Sequence, residues 1–455
     1  MKAEITGSNS ITEGVIWKQL LAFFFPILLG TFFQQLYNTA DAIIVGQFLG
    51  KEALAAVGGG TGTAINLLIG FFTGLASGAT VVISQHFGAK NEERVSQSIH
   101  TSMALALAAG VIITIIGYAC TEPLLKLIGT PDDVLPLAIT YMHIYFLGGI
   151  PIVIYNMGAA IFRAMGDSRT PFYFLLISCV TNIILDILFV GGIGMGVEGA
   201  AIATVISQIV SVVLIFWTLM RRKDSAKLQI RKIAFEGNLL KQMLMIGFPA
   251  GIQSIMYTIS NLIIQASING FGTDTAAAWA AWSKLDQIFW MFINAFGIAI
   301  TTFVGQNYGA GKIDRAKKGV RTVLLMGAVS TFVIEAGYFA VGEFGLMLFT
   351  TDSEVLSIGV SMMRYIVPWY ITYIAIELLS GAIRGAGKSL IPTLISVVGI
   401  CVLRMIWIFV VPYINPTILG VLASYPFSWI VTSVLFIVYY FKGDIYNEKR
   451  KPRIA

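Results

Sequence analysis

Two polar side chains lie one helical turn apart in the apolar stretch Thr181–Phe189, which reads TNIILDILF. They are Asn182 and Asp186, and residues at positions i and i+4 share one face of a helix. A carboxylate at the centre of a membrane span costs about 2.5–3.5 kcal/mol, so such a group usually faces a cavity and acts on an ion, a proton or a substrate. The stretch therefore predicts a functional site inside a membrane.

The composition supports a membrane location. Of 455 residues, 56% are hydrophobic and only 12% are charged, and the mean hydropathy is +0.81. These values exclude an ordinary soluble domain. Cys120, Cys179 and Cys401 stand singly in apolar segments, so we expect no disulfide and no metal site. The polar start of the chain lacks the features of a secretory signal, so we expect the first apolar run to be a true span.

Apolar segments long enough to cross a bilayer begin near residues 16, 54, 97, 134, 170, 196, 240, 275, 318, 354, 390 and 418. Twelve helices follow from this count. Basic residues then separate by side, with Lys51 and Lys126 on one side. The other side holds the basic residues at 2–18, 90–94, 163–169, 221–241, 312–321, 384–388 and 442–453. Because cytoplasmic loops are rich in Lys and Arg, we expect both termini in the cytoplasm and the protein in the plasma membrane.

The sequence contains two copies of one unit. The segment SQHFGAK at 84–90 returns as GQNYGAG at 305–311, and FRAMGDSRTP at 162–171 returns as IRGAGKSLIP at 383–392, both 221 positions later. The predicted fold is an all-α polytopic membrane protein with twelve transmembrane helices in two parallel six-helix lobes, related by a pseudo-two-fold axis along the membrane normal. Residues 1–220 form the first lobe, 221–241 a basic cytoplasmic linker and 242–455 the second lobe.

The two copies differ at their acidic residues. Asp186 aligns with Trp407, and Asn182 and Asp41 align with aliphatic residues. A carboxylate that the fold itself required would occur twice, so we interpret Asp41 and Asp186 as functional. The alternative is that both carboxylates only hydrogen-bond to neighbouring backbone and hydroxyl groups.

Three spans bring further polar groups to the depth of these carboxylates. Counting residues from the span ends places Asp41, Asp186 and Thr204 at one level in the outer half of the membrane, with Tyr37 one turn below Asp41. Two carboxylates close together in a low dielectric favour protonation of one of them, which suits a proton carrier. The oxygens of Asp41, Asn182, Asp186 and Thr204 would also suit Na⁺, so both coupling ions stay open, with H⁺ preferred.

Other intramembrane side chains are candidates for a substrate cavity. Buried amides need a partner, and aromatic rings and methionines accept flat lipophilic cations. Lys284 and Asp286 face different sides of their helix, so we expect Lys284 to pair with a carboxylate across a cleft. For Glu335, Arg364, Glu377 and Arg404 we expect pairing between helices or snorkelling to the membrane surface. The candidate cavity residues are Gln34, Tyr141, Asn156, Gln253, Met256, Tyr257, Trp282 and Lys284.

Enzymatic motifs are missing from the sequence. The phosphate-binding pattern that ends in Gly387-Lys388-Ser389 needs a glycine at 382, where Ala382 stands, and neither HExxH nor GxSxG occurs. We therefore expect no enzymatic activity and no cofactor other than the coupling ion.

With these residues in hand, the chain resembles a known family. The segment QQLYNTADAIIVG at 34–46, the turns QHFGAK and RAMGDS with their repeats, and the N-x-x-x-D pattern at 182–186 are similar to the multidrug and toxic compound extrusion (MATE) transporters. The resemblance implies cation-driven antiport of organic compounds, with the coupling site at Tyr37, Asp41, Asn182, Asp186 and Thr204. Tyr257 stands where some branches carry an acid, so the chain resembles the DinF-like branch more than the NorM-like one.

The expected function is thus a secondary multidrug exporter that antiports organic, cationic and aromatic compounds against H⁺ or Na⁺. We expect a monomer in the lipid bilayer with small-molecule drugs or toxins as partners and no nucleic acid. One alternative is a flippase for lipid-linked oligosaccharides from the same superfamily, which predicts a cavity rich in cations. A receptor or membrane enzyme predicts a soluble domain or catalytic constellation, and the sequence contains neither.

Overall fold

The computed structural model describes residues 11–443 and 445–446. The predicted cytoplasmic basic residues Lys2, Lys449, Arg450, Lys451 and Arg453 lie outside the described residues. Within them every regular element is a helix, and they contain no β-strand.

Twelve spans follow one another along the part of the chain that the structure describes, one of them made of two segments with a sharp bend between them. Their count confirms the predicted fold class. The spans are α1 (Ile16–Leu49), α2 (Lys51–Gly88), α3 (Glu92–Leu127), α4 (Leu135–Leu147 and Gly149–Ala164), α5 (Arg169–Gly192), α6 (Val197–Arg221), α7 (Gly237–Asn269), α8 (Thr273–Gly309), α9 (Ile313–Met347), α10 (Ser353–Gly385), α11 (Leu390–Ile414) and α12 (Ile418–Lys442). Helices α1–α6 form the first lobe and α7–α12 the second.

Polar residues cap several of these helices where they begin. Asn91 accepts a hydrogen bond from the backbone N–H of Arg94 at the start of α3. Glu236 does the same for Leu239 at the start of α7, and Asp352 caps α10. Such caps satisfy backbone N–H groups that have no partner within the helix. These caps define the residues at which α3, α7 and α10 begin.

Helix α4 is bent by 54° between its two segments. The bend occurs at Gly148 and Gly149, where any side chain would meet a neighbouring helix. A Cβ on Gly148 would lie 2.5 Å from Cγ2 of Val205, and one on Gly149 would lie 2.7 Å from Oγ1 of Thr114. The two glycines therefore let α4 pass between α3 and α6, and the bend directs its first segment towards the predicted carboxylate site.

A short π-helical turn, Ile187–Gly192, interrupts α5 immediately after Asp186. A second π-helical turn, Val397–Val402, lies in α11. π-helical turns are uncommon and often occur at functional sites. The first of them sets the position of Asp186 relative to the rest of its span.

We call one side of the molecule the basic face; it carries the turns α2–α3, α4–α5, α6–α7, α8–α9 and α10–α11. Its basic residues include Lys90, Arg169, Arg222, Lys312 and Lys388. Helix α1 also begins on this face. The basic face corresponds to the side that the sequence predicts to be cytoplasmic.

Near the basic face, the start of α1 packs against the second lobe and the start of α7 packs against the first lobe. Leu20, Phe23 and Phe24 of α1 belong to the hydrophobic cluster of the second lobe. Leu239 and Met243 of α7 belong to the cluster of the first lobe. This reciprocal exchange is what a two-fold arrangement produces, and it holds the lobes together near the basic face.

The linker between the lobes is fixed to α3. The backbone N–H of Gln229 donates to Nε2 of His100 at 3.0 Å, and that of Glu236 donates to Oγ1 of Thr101 at 3.2 Å. Nearer α6, the guanidinium of Arg222 donates to Asp224 and holds the pKa of that carboxyl below its usual value. The connection is therefore an ordered segment that follows the first lobe.

Candidate functional site

Three helices bring the five predicted coupling residues together. Helix α1 supplies Tyr37 and Asp41, α5 supplies Asn182 and Asp186, and α6 supplies Thr204. Asp41 is 6% exposed, Thr204 is 2% exposed, and Asn182 and Asp186 are completely buried. Burial of these side chains means that exposure to water does not account for their polarity.

Hydrogen bonds join four of the five side chains. The hydroxyls of Tyr37 and Thr204 lie 3.3 Å apart and link α1 to α6. In the amide orientation that satisfies both of its polar atoms, Asn182 donates to Oδ2 of Asp186 at 2.7 Å and accepts from the backbone N–H of Thr204 at 3.2 Å. The helix spacing of Asn182 and Asp186 thus acts as the sequence predicts, since both point to one place.

Each carboxylate keeps an oxygen without a partner. Among the described residues, Oδ1 of Asp41 and Oδ1 of Asp186 are buried and accept no hydrogen bond. The two carboxylates interact electrostatically with each other, and neither forms an ion pair with a described Lys or Arg. Buried carboxylates are normally paired or fully hydrogen-bonded. The arrangement therefore disagrees with a purely structural role and suits a group that binds a proton or cation.

Two tyrosines from the first segment of α4 complete the cluster. Tyr141 interacts electrostatically with Asp41, Asp186 and Tyr37, and its ring lies 6.1 Å from that of Tyr145. Tyr145 also interacts with Tyr37. The sequence analysis missed Tyr145, although its position one helical turn after Tyr141 is a signal that it shares that face.

The atoms of this cluster that could coordinate a cation are oxygens. Carboxylate, amide, hydroxyl and phenol oxygens are the ligands of hard cations, and a carboxyl pair also accepts a proton. The described residues contain no group of three or more His, Cys, Asp or Glu side chains that would hold a transition metal. The chemistry of the cluster therefore fits H⁺ or Na⁺.

The predicted cavity residues do not form one cluster. Gln34 and Lys284 are exposed, and Met256 is partly buried. Asn156 donates to the backbone oxygen of Ile152 in its own helix at 2.9 Å. Lys284 forms no ion pair with any described residue, so the expected pairing across a cleft is not present.

Apart from Tyr141, which lies beside the carboxylates in the first lobe, the remaining cavity candidates lie within the second lobe. Nε2 of Gln253 donates to the hydroxyl of Tyr257 in the same helix at 3.2 Å, while Oε1 of Gln253 is buried and has no hydrogen-bond partner among the described residues. Trp282 is fully buried and packs edge-on against Tyr338 at 5.3 Å. Trp282 is therefore part of the second lobe's core in this structure.

A second polar network, which the sequence analysis missed, lies in the second lobe. Asp286 accepts hydrogen bonds from the hydroxyl of Tyr370 and from Nε1 of Trp290, the latter at 2.7 Å. Trp290 stands one helical turn after Asp286, which is a signal for this pair. Tyr370 comes from α10 and is distant in sequence. The acid of the second lobe thus has two donors, unlike Asp41.

Arg404 and Arg364 contact neighbouring helices, as the sequence predicts, whereas Oε1 of Glu335 is buried and has no hydrogen-bond partner among the described residues. Arg404 donates to Oγ of Ser428 on α12 at 2.9 Å, and its guanidinium lies 4.3 Å from the ring centroid of Tyr425. Arg364 and Glu343 form an exposed pair at 3.8 Å between α10 and α9. These contacts stabilise helix packing and do not reach the cluster around Asp41.

A cavity of about 970 Å³ opens on the basic face of the first lobe. Its lining includes Lys18, Phe23, Lys90, Arg169 and Arg222. None of the predicted substrate residues is among the described residues that line it. It lies at the end of the lobe where α1 begins.

Comparisons with known proteins agree with this architecture. The model of the MatE family matches residues 26–188 and 249–410, one match in each repeat. The chain is 31% identical over 433 residues to "Probable multidrug resistance protein YoeA" of Bacillus subtilis (strain 168), which covers 93% of this chain and 93% of that protein. It is 27% identical over 357 residues to the "FAD transporter" of Shewanella oneidensis, covering 76% of this chain and 77% of that one.

A solved structure has the same fold. A MOP superfamily transporter from Pyrococcus furiosus Vc1 (DSM3638) superposes with a TM-score of 0.90 at 21% identity and covers 98% of this chain and 100% of that chain. The names of the two sequence relatives refer to different substrates: one refers to multidrug resistance and the other to FAD. The comparisons therefore leave the choice of cargo to the chemistry of the site.

Proposed function

The chain belongs to the MatE family, and on this premise we propose that it is a secondary active multidrug exporter that antiports organic compounds against H⁺. The observation that carries the proposal is the buried pair Asp41 and Asp186, each with an oxygen that accepts no hydrogen bond among the described residues. Two such groups in a low dielectric bind one proton readily. Na⁺, held by oxygens of the same cluster and of Asn182 and Thr204, is the alternative coupling ion.

The proposed cycle couples this pair to the movement of α1. Pro26 stands inside α1, and a proline in a helix removes one backbone hydrogen bond and allows a bend. On one side of Pro26 the helix packs into the second lobe through Phe24, and on the other it carries Asp41. When a proton neutralises the pair, the contacts of α1 with α5 and α6 change, and α1 bends and expels the substrate.

Antiport requires that proton and drug favour different conformations. A ligand shifts an equilibrium only by its difference in affinity for the two states. We propose that protonation from outside favours release of the drug and that loss of the proton to the cytoplasm favours its uptake. In this scheme the basic face is cytoplasmic, both termini lie in the cytoplasm, and the protein is a monomer in the plasma membrane without a nucleic-acid partner.

The substrate class we propose is lipophilic organic compounds with aromatic rings, cationic ones included. Gln34 is exposed on α1, and Tyr257 and Met256 are partly buried on α7. A flippase for lipid-linked oligosaccharides would need several cations towards the phosphates. Of the predicted cavity residues Lys284 alone is basic, so we do not favour that function.

We expect inverted membrane vesicles that contain the protein to transport ethidium when a proton gradient alone is imposed. The reason is that protonation of Asp41 and Asp186 supplies the free energy for transport. The measurement is ethidium fluorescence with proton and sodium gradients imposed separately, and vesicles without the protein are the control. Transport with the sodium gradient alone would favour Na⁺, and no response of several cationic dyes to either gradient would contradict the proposed function.

We expect Thr204→Val to weaken the apparent affinity for the coupling ion about fivefold, as the loss of one hydrogen bond worth about 1 kcal/mol predicts. The change keeps the shape of the side chain and removes the hydroxyl that contacts Tyr37. The measurement is the dependence of ethidium transport on proton concentration. Ser207→Ala is the matched control, because among the described residues the Ser207 hydroxyl bonds within α6, to the backbone oxygen of Thr204. Equal effects of the two changes would contradict a role for the Thr204 hydroxyl.

A further inference from the structure

Two buried glutamines cross between the lobes near the basic face. Nε2 of Gln85, at the end of α2, donates to the backbone oxygen of Gly385 in the second lobe at 2.9 Å. Nε2 of Gln306, in α8, donates to the backbone oxygen of Ala164 in the first lobe at 2.8 Å. Gln85 is 8% exposed and Gln306 is fully buried. Each lobe thus places one amide against the end of the other lobe's fourth span.

The two contacts are equivalent under the internal repeat. Gln306 follows Gln85 by 221 positions, and Gly385 follows Ala164 by the same number. The repeated turns SQHFGAK and GQNYGAG contain the donors, and the ends of α4 and α10 contain the acceptors. Both hydrogen bonds cross from one lobe to the other. The interface between the lobes therefore explains why the glutamine occurs in both copies of the turn.

Glycines allow the backbones to approach closely at the same place. A Cβ on Gly88 would overlap the backbone oxygen of Gln306, and a Cβ on Gly309 would overlap that of Gln85. These two glycines are also 221 positions apart. The ends of α2 and α8 therefore cross in direct backbone contact, with the two glutamines beside the crossing.

A third contact joins the segment before α1 to the start of α9. The guanidinium of Arg315 donates to the backbone oxygens of Glu13 and Gly14 and to Oε1 of Gln19, each at 2.8 Å. Its counterpart in the repeat is Arg94, 221 positions before Arg315, whose guanidinium lies 3.8 Å from the carboxylate of Glu236 in the segment before α7. Both contacts are more exposed than those of the glutamines. The contact of Arg315 adds to the closure of the basic face and is separate from the glutamines.

We propose that Gln85 and Gln306 form a two-fold latch that keeps the lobes closed on the cytoplasmic side and releases when the transporter turns inward. The inference rests on the proposed function in one respect, that the lobes open alternately to the two sides. Opening towards the cytoplasm separates the ends of α2 and α8 and breaks both hydrogen bonds. The bonds favour the closed state, because each contributes about 1 kcal/mol net even when water replaces the partner on opening.

The test measures opening itself and needs no drug. A cysteine introduced by Ser84→Cys reports on the interface, because Ser84 is fully buried and its hydroxyl lies where a Cβ on Gly305 would stand. Inverted vesicles expose the cytoplasmic side to a maleimide, and mass spectrometry of the peptide quantifies labelling at position 84 separately from the native cysteines. Failure of ethidium transport would leave this measurement intact.

We expect Gln85→Leu and Gln306→Leu each to raise the labelling rate about fivefold, and the double variant to raise it further, since each hydrogen bond contributes about a factor of five. Gln85→Met and Gln306→Met remove the donor without adding a charge and nearly keep the length of the side chain, and they replace a leucine variant that does not fold. Gln97→Leu is the matched control, because in the part of the chain that the structure describes the side chain of Gln97 hydrogen-bonds to Glu93 and Arg94 of its own helix and does not bridge the lobes. A labelling rate in the folded glutamine variants equal to that of the Ser84→Cys protein would overturn the latch. So would an equal increase in the Gln97→Leu control. A faster rate on changing only one of the two glutamines would overturn its two-fold character.

Discussion

Asp41→Asn is expected to lower drug transport at least tenfold, to the level of vesicles without the protein, while the protein still folds and reaches the membrane. The amide has nearly the shape of the carboxylate but does not take up a proton at the pH of transport. Because Oδ1 of Asp41 is buried without a hydrogen-bond partner among the described residues, removing its charge lowers the free-energy cost of burial. We therefore expect the apparent melting temperature in detergent to stay the same or rise.

This combination separates function from structure at Asp41. If the carboxylate held helices together, its loss would lower the melting temperature and the amount of protein, and transport would fall for that reason alone. Asp132→Asn is the control, since Asp132 is exposed in the turn between α3 and α4. Normal ethidium transport by Asp41→Asn, driven by an imposed proton gradient, would contradict the proposed coupling site.

The fold was accessible from the sequence because hydrophobic length and loop charge report directly on membrane crossing. The twelve predicted starts agree with the observed spans, and the two family matches fall on the two repeats. The bend in α4 and the π-helical turn after Asp186 were not predicted. Both depend on contacts with other helices, such as Val205 beside Gly148, and hydropathy contains no information about such contacts.

The carboxylate cluster was partly accessible for a related reason. A charged residue in an apolar span is visible from composition alone, so Asp41 and Asp186 stood out, and Asn182 followed from helix periodicity. Tyr145 did not stand out, because a tyrosine is ordinary in a span and its partners lie on other helices. The acceptors of Gln85 and Gln306 were hidden in the same way, although the repeat marked both turns. Sequence spacing identifies which groups share a face, and packing decides what that face meets.

Gly78→Ala is expected to destabilise the closed lobes by about 1–3 kcal/mol, the usual range for forcing an extra methyl group into a packed interface. Gly78 of α2 lies against α7, where a Cβ would overlap the backbone oxygen of Met243 and stand 2.7 Å from the backbone nitrogen of Gly247. A backbone atom cannot move aside as a flexible side chain can, so the helices must separate. The part of α7 that packs into the first lobe would lose contact, and the apparent melting temperature should fall by several degrees.

Gly62→Ala in the same helix is the matched control, because a Cβ on Gly62 has no atom within 4 Å. Replacing glycine by alanine inside a helix normally stabilises it by about 0.5–1 kcal/mol, so this variant should melt at the same or a higher temperature. Thermal unfolding of the purified protein compares the two. The difference between them isolates the interface, since helix propensity changes equally in both. Equal melting temperatures would contradict close backbone packing of α2 on α7, and with it the closed arrangement from which the lobes must open.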